Sequence, residues 1–157
     1  MNKKYKKWLT AIAIIAIFLL LKYAFTIADA SDLIFLLKPT NIFVGLLTGS
    51  HSVYIEGNGY YHETLNIIIN KSCSGFNFWL LSFLSFAYLK LPIPTALGCA
   101  YLLTIFANTS RIFASIAMQS RALHEAIGII TYLSFLILAH CLMEKFLTWR
   151  KNNAKFV

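Results

Sequence analysis

Apolar runs of about membrane-spanning length constrain this chain more than any other feature. The first is Trp8 to Ala28. A second and shorter run is Ser74 to Leu89, ending at Lys90. A third starts after LPIP and covers Thr95 to about Ile112, and a fourth covers Ala126 to Phe146. A spanning helix needs about 20 mostly apolar residues. The second run reaches that length if its helix begins near Cys73 and tilts little. Pro92 and Pro94 set a tight turn between the second and third runs. A soluble domain of 157 residues has no interior for a composition that is 59% hydrophobic and 13% charged.

Leu33 to Leu47 is also apolar but is interrupted by Lys38-Pro39-Thr40-Asn41. Each half is too short to span, which predicts an interfacial or re-entrant segment. Gly57-Asn58-Gly59 is a turn signal. It lies between Val53-Tyr54-Ile55 and Leu65 to Ile69, and predicts a short hairpin. The expected fold is one domain, residues 1–157. It is an all-α integral membrane bundle of four transmembrane helices, with one interfacial or re-entrant segment and a small outer hairpin.

The N-terminal basic stretch and the run after it also fit a signal peptide, with cleavage after Ala28 or Ala30. The length of the run favours a retained first helix. With the N-terminus inside, nine cations (Lys3, Lys4, Lys6, Lys7, Lys90, Lys145, Arg150, Lys151 and Lys155) face Glu144 alone. The inner side then carries the whole formal net charge of +8, and the outer side sums to zero. This is the positive-inside pattern. It predicts a multi-pass protein of the cytoplasmic (inner) membrane with both termini cytoplasmic. It also accounts for the basic charge without nucleic acid.

Depth along the helices brings three reactive side chains to one layer. At about 1.5 Å per residue, Lys90 back to Cys73 is roughly 26 Å, as is Pro94 forward to Arg111. Lys145 back to His124 is roughly 32 Å. All three reach the outer boundary. A cysteine thiolate attacks carbonyls. Histidine moves protons near neutral pH. Arginine holds a carboxylate or a developing oxyanion. Supporting positions are Ser74 and Gly75 beside the thiol, Asn108 one turn before Arg111, Glu125 beside His124, and Gly128 one turn beyond it. Bland readings stand beside these. Cys73 is then inert, Arg111 snorkels at a helix end, and His124 caps its helix. Cys99 and Cys141 lie in apolar runs and read as small buried side chains. No histidine pair has metal-ligand spacing, so no metal or other cofactor is expected.

Three patches in this order resemble the exosortase/archaeosortase family, most closely its short exosortase K type. They are Cys73-Ser74-Gly75, Asn108-Thr109-Ser110-Arg111-Ile112 and His124-Glu125-Ala126-Ile127-Gly128. The resemblance covers roughly residues 33–146. It implies a cysteine transpeptidase or protease with Cys73 as nucleophile and Arg111 and His124 completing the site. The implied substrate is an exported protein whose C-terminal sorting signal combines a short motif, a transmembrane helix and a basic tail. Cleavage would occur on the outer face through an acyl-enzyme thioester, released by an acceptor such as a lipid or glycan. Membrane lipid is the other expected partner. The competing reading is a non-catalytic membrane subunit that binds a partner and uses its polar layer only for packing.

Overall fold

The computed structural model describes residues 3–118 and 121–153. In chain order they form α1 (Lys3–Ile27), α2 (Ile34–Thr48), β1 (Val53–Ile55), β2 (Gly59–His62) and β3 (Ile67–Ile69). A 3-10 turn (Lys71–Cys73) follows, then α3 (Phe76–Tyr88), α4 (Ile93–Met118) and α5 (Arg121–Asn153).

The expected all-α bundle of four spanning helices is not what the chain forms. Among the described residues, two helices are long and apolar enough to cross a membrane: α4, and the Glu125–Arg150 part of α5. The described apolar part of α1 is Ala16–Ile27, a shorter segment. The second predicted span fails for a local reason. Gly75 takes a left-handed conformation, with φ of 70°, so no helix runs through it from Cys73. Helix α3 therefore has 13 residues, about 20 Å, against a hydrocarbon core of about 30 Å. The two long helices support association with a membrane. Ile129, Ile130, Leu133, Ile137 and Leu138 of α5 each expose more than half of their surface. A continuous apolar face of this kind suits a lipid solvent.

Helix α2 corrects a second expectation. It is one continuous helix of 15 residues with Pro39 inside it, not two halves. Proline lacks the N–H that would bond the carbonyl four residues earlier. That carbonyl belongs to Phe35, and the Tyr101 hydroxyl of α4 donates to it at 2.8 Å. The orphaned acceptor is satisfied by a tertiary bond, and the helix continues. Leu36, Leu37 and Val44 of α2 are fully buried. They join Ala30, Leu33, Ile69, Phe76 and Ile112 in the larger core cluster.

The predicted hairpin is a three-stranded antiparallel sheet of order β1-β2-β3. Val53 to Ile55 pair with Tyr61 to Gly59 through the expected turn, closed by the Asn58 N–H on the Ile55 carbonyl. A second reversal at Glu63 to Asn66 adds β3, with His62 opposite Ile67 and Tyr60 opposite Ile69. Asn66 takes a left-handed φ of 50° there, a conformation asparagine tolerates well.

His62 fastens this sheet to α2. Its ring is fully buried. Nε2 lies 2.7 Å from Asn41 Oδ1, and Nδ1 lies 2.7 Å from Ser50 Oγ. The Asn41 amide nitrogen donates to Ser52 Oγ, so its oxygen faces the ring. With that amide orientation, Nε2 donates to Asn41 Oδ1. Burial lowers the His62 pKa below the ordinary value of 6.5. The unfolded chain takes up a proton at His62 before the folded chain does. The stability from this neutral ring is complete above about pH 6.5 and is lost as pH falls toward the lowered value. Hydrogen exchange should therefore show β2 opening more often near pH 5 than near pH 7, after correction for intrinsic rates. His62→Gln should flatten that dependence. An opening free energy independent of pH in the wild type would refute the linkage.

Candidate active site

Cys73 ends the 3-10 turn, and two polar groups hold that turn in place. The Asn70 side chain accepts from the Ser72 N–H at 3.1 Å and from Ser72 Oγ at 2.6 Å. Lys71 Nζ donates to the Thr26 and Ala28 carbonyls at the end of α1. Next comes Ser74, almost fully buried, whose Oγ accepts from the Phe76 N–H at 3.3 Å. Gly75 then turns the chain into α3. A Cβ there would meet Thr104 Cγ2 at 3.1 Å, Asn108 Cγ at 3.3 Å and the Tyr132 hydroxyl at 3.4 Å. Backbone conformation and space both require glycine at this position.

Asn108 on α4 is fully buried. Its amide nitrogen donates to the Cys73 carbonyl, and its amide oxygen accepts from the Tyr132 hydroxyl at 2.8 Å. One side chain thus ties the Cys73 turn to α4 and α5. Arg111, one turn further along α4, is 9% exposed. Its guanidinium lies over the Tyr132 ring, 5.5 Å from the centroid. Gly128 of α5 makes this closeness possible, because a Cβ there would lie 3.2 Å from Arg111 Cδ. Small residues allow such helix approach. The Tyr132 hydroxyl is within electrostatic reach of both the Cys73 thiol and the Arg111 guanidinium.

The thiol itself is half-buried. Its polar neighbours are Ser72 Oγ at 3.9 Å and the Ile68 carbonyl at 4.0 Å. Among the described residues, Arg111 Nε and Nη2 are buried without a hydrogen-bond partner. These two nitrogens form one edge of the guanidinium fork, the edge that grips a carboxylate with two parallel bonds. A buried cation with open donors is costly where it stands. It suits a ligand that brings negative charge.

The predicted residues are distributed as follows. Cys73, Gly75, Asn108, Arg111 and Gly128 cluster around Tyr132, and Ser74 lies beside them in the Cys73 turn. No contact between the Cys73 thiol and the Arg111 guanidinium is seen among the described residues; Asn108 and Tyr132 connect the Cys73 backbone carbonyl to the guanidinium. His124 stands in the first turn of α5, and its side chain lies outside the described residues. Glu125 is exposed on the same turn. Tyr132 is the residue that sequence reading missed. Its signal was helical spacing, since Tyr132 falls four residues after Gly128 and eight after His124, on one face of α5. His140 bonds Ser85 Oγ at 2.9 Å. No group of three His, Cys, Asp or Glu side chains among the described residues is placed to hold a metal ion. Comparison with family models, with curated proteins and with solved structures finds no match to this chain.

Proposed function

We propose that the chain is a membrane-embedded cysteine transpeptidase of the exosortase/archaeosortase kind. It cleaves C-terminal sorting signals of exported proteins at the outer face of the cytoplasmic membrane, with both of its own termini inside. The observation that carries this reading is the Tyr132 cluster. It holds a half-buried cysteine and a buried arginine with an open donor edge around one aromatic side chain.

The steps follow from the residues. Cys73 Sγ attacks the carbonyl carbon that precedes the cut, and its proton passes to His124. Arg111 holds the developing oxyanion or a nearby substrate carboxylate. The C–N bond breaks, and His124 returns the proton to the leaving amine. A thioester on Cys73 remains. An acceptor hydroxyl or amine, on a lipid or glycan, attacks it. The acceptor's proton passes through His124 back to sulfur, and the thiol is restored.

The test is a thioester trap. Membranes containing the protein are mixed with an exported protein from the same genome that ends in a motif, a helix and a basic tail. With hydroxylamine present, the upstream fragment should be released on the outer side with a C-terminal hydroxamate, detected by mass spectrometry. Cleavage that leaves only a carboxylate at every hydroxylamine concentration would remove the thioester from the scheme. Cleavage that does not require this chain would remove the function.

A further inference from the structure

One edge of the sheet is open beside the thiol. Among the described residues, strand β3 pairs with β2 alone. The Ile69 carbonyl turns toward β2, because a Cβ built on Gly59 would lie 2.3 Å from it. Successive residues of a strand turn their peptide groups to opposite sides. The N–H and C=O of Ile68 therefore face the open edge. Cys73 Sγ lies on that edge, 4.0 Å from the Ile68 carbonyl oxygen. Ile68 is 47% exposed, whereas Ile69 next to it is 1% exposed and anchored in the core. The edge is thus rigidly mounted and accessible at the one residue that faces the nucleophile.

We propose that the substrate binds as an extended strand along the open edge of β3, paired through the backbone of Ile68, which brings its scissile carbonyl to Cys73. This rests on the cysteine-transpeptidase reading and adds how the substrate is held. The occupant follows from the groups on the edge. Unpaired peptide N–H and C=O groups are a template for another extended backbone. A helical segment has its own peptide groups already bonded and cannot pair there. An added strand runs about 4.8 Å from its neighbour. The thiol stands in that lane, so a chain paired with Ile68 passes directly against sulfur. Binding exchanges the weak contact between thiol and carbonyl for a peptide hydrogen bond and frees the thiol to attack. Pairing of this kind reads backbone and not side chains.

The test uses reagents of one warhead and needs no knowledge of the natural substrate. Protein in lipid vesicles is treated with chloroacetone, with acetyl-trialanine chloromethyl ketone, or with the same tripeptide reagent methylated on its amide nitrogens. Alkylation of Cys73 is followed by mass spectrometry, with Cys73→Ala as the blank. Two backbone bonds should make the unmethylated tripeptide react about tenfold or more faster than its methylated form. Ile68→Pro removes the outward N–H and no bond to β2. It should cut that advantage severalfold, with each tripeptide rate taken relative to the chloroacetone rate of the same variant so that any change in the thiol itself cancels. Equal rates for the two tripeptides on wild-type protein overturn strand pairing while leaving the cysteine reading intact. Failure of all three reagents to label Cys73 overturns the cysteine reading itself.

Discussion

Cys73→Ala should abolish processing of a tail-bearing substrate, by at least about 1,000-fold, while the protein accumulates at the wild-type level. The separation of activity from folding follows from how the residue is held. Its backbone N–H bonds the Asn70 carbonyl at 2.8 Å, and its carbonyl accepts from Asn108. Alanine keeps both. Among the described residues, the sulfur itself makes two long polar contacts, near 4 Å, and the side chain is half-buried. Losing it should cost on the order of 1 kcal/mol of packing. Cys73→Ser should be nearly as inactive. A serine hydroxyl gives up its proton far less readily than a thiol and is a weaker nucleophile, so the proton acceptor that serves cysteine leaves serine nearly unreactive. The measurement is the initial rate of processing by membranes that contain each variant at equal protein level. Full activity in Cys73→Ala would end covalent catalysis at this residue and restore the non-catalytic subunit as the better reading.

The parts of the fold that were legible in the sequence are those set by local chemistry. Apolar length marks α4 and α5, and Gly57-Asn58-Gly59 marks the first turn of the sheet. The parts that were not legible depend on contacts across the chain. Nothing local to Pro39 announces that Tyr101, far along the sequence, will satisfy the Phe35 carbonyl and keep α2 whole. Ile67 to Ile69 read as one half of a single hairpin because the reversal at Asn66 has no glycine. The start of α3 turned on Gly75. Glycine beside a proposed nucleophile reads as room for the thiol, yet its left-handed φ also ends the helix there and shortens the element below spanning length. For the candidate site, the depth reading counts residues along straight helices, and the helix it assumes for Cys73 is broken at Gly75. Depth also contains no information about azimuth, so it does not select Tyr132, the side chain on which the surroundings of Cys73 and Arg111 converge.

Arg111→Met should separate function from stability in the opposite sense to an ordinary core substitution. Processing should fall by about 100- to 1,000-fold, the effect of removing a donor from a developing oxyanion. Thermal stability should stay level or rise. Arg111 is 9% exposed, and its Nε and Nη2 have no partner among the described residues. A buried cation that lacks full pairing carries a desolvation cost, and an apolar side chain of similar volume often relieves it. What the folded state loses is the contact over the Tyr132 ring, worth roughly 0.5 to 2 kcal/mol, and methionine retains part of that packing through its thioether. Arg111→Lys keeps the charge but presents no planar edge, so it should recover little of the lost activity. The pair of readouts distinguishes the roles open to this residue. An arginine that only snorkels toward the surface would tolerate lysine and methionine alike with activity intact. An arginine that only cements α4 to α5 would lose stability and activity together in Arg111→Met, with Arg111→Lys intermediate in both. Loss of turnover at preserved or raised melting temperature is the outcome that belongs to an arginine kept in an unfavourable place for its chemistry.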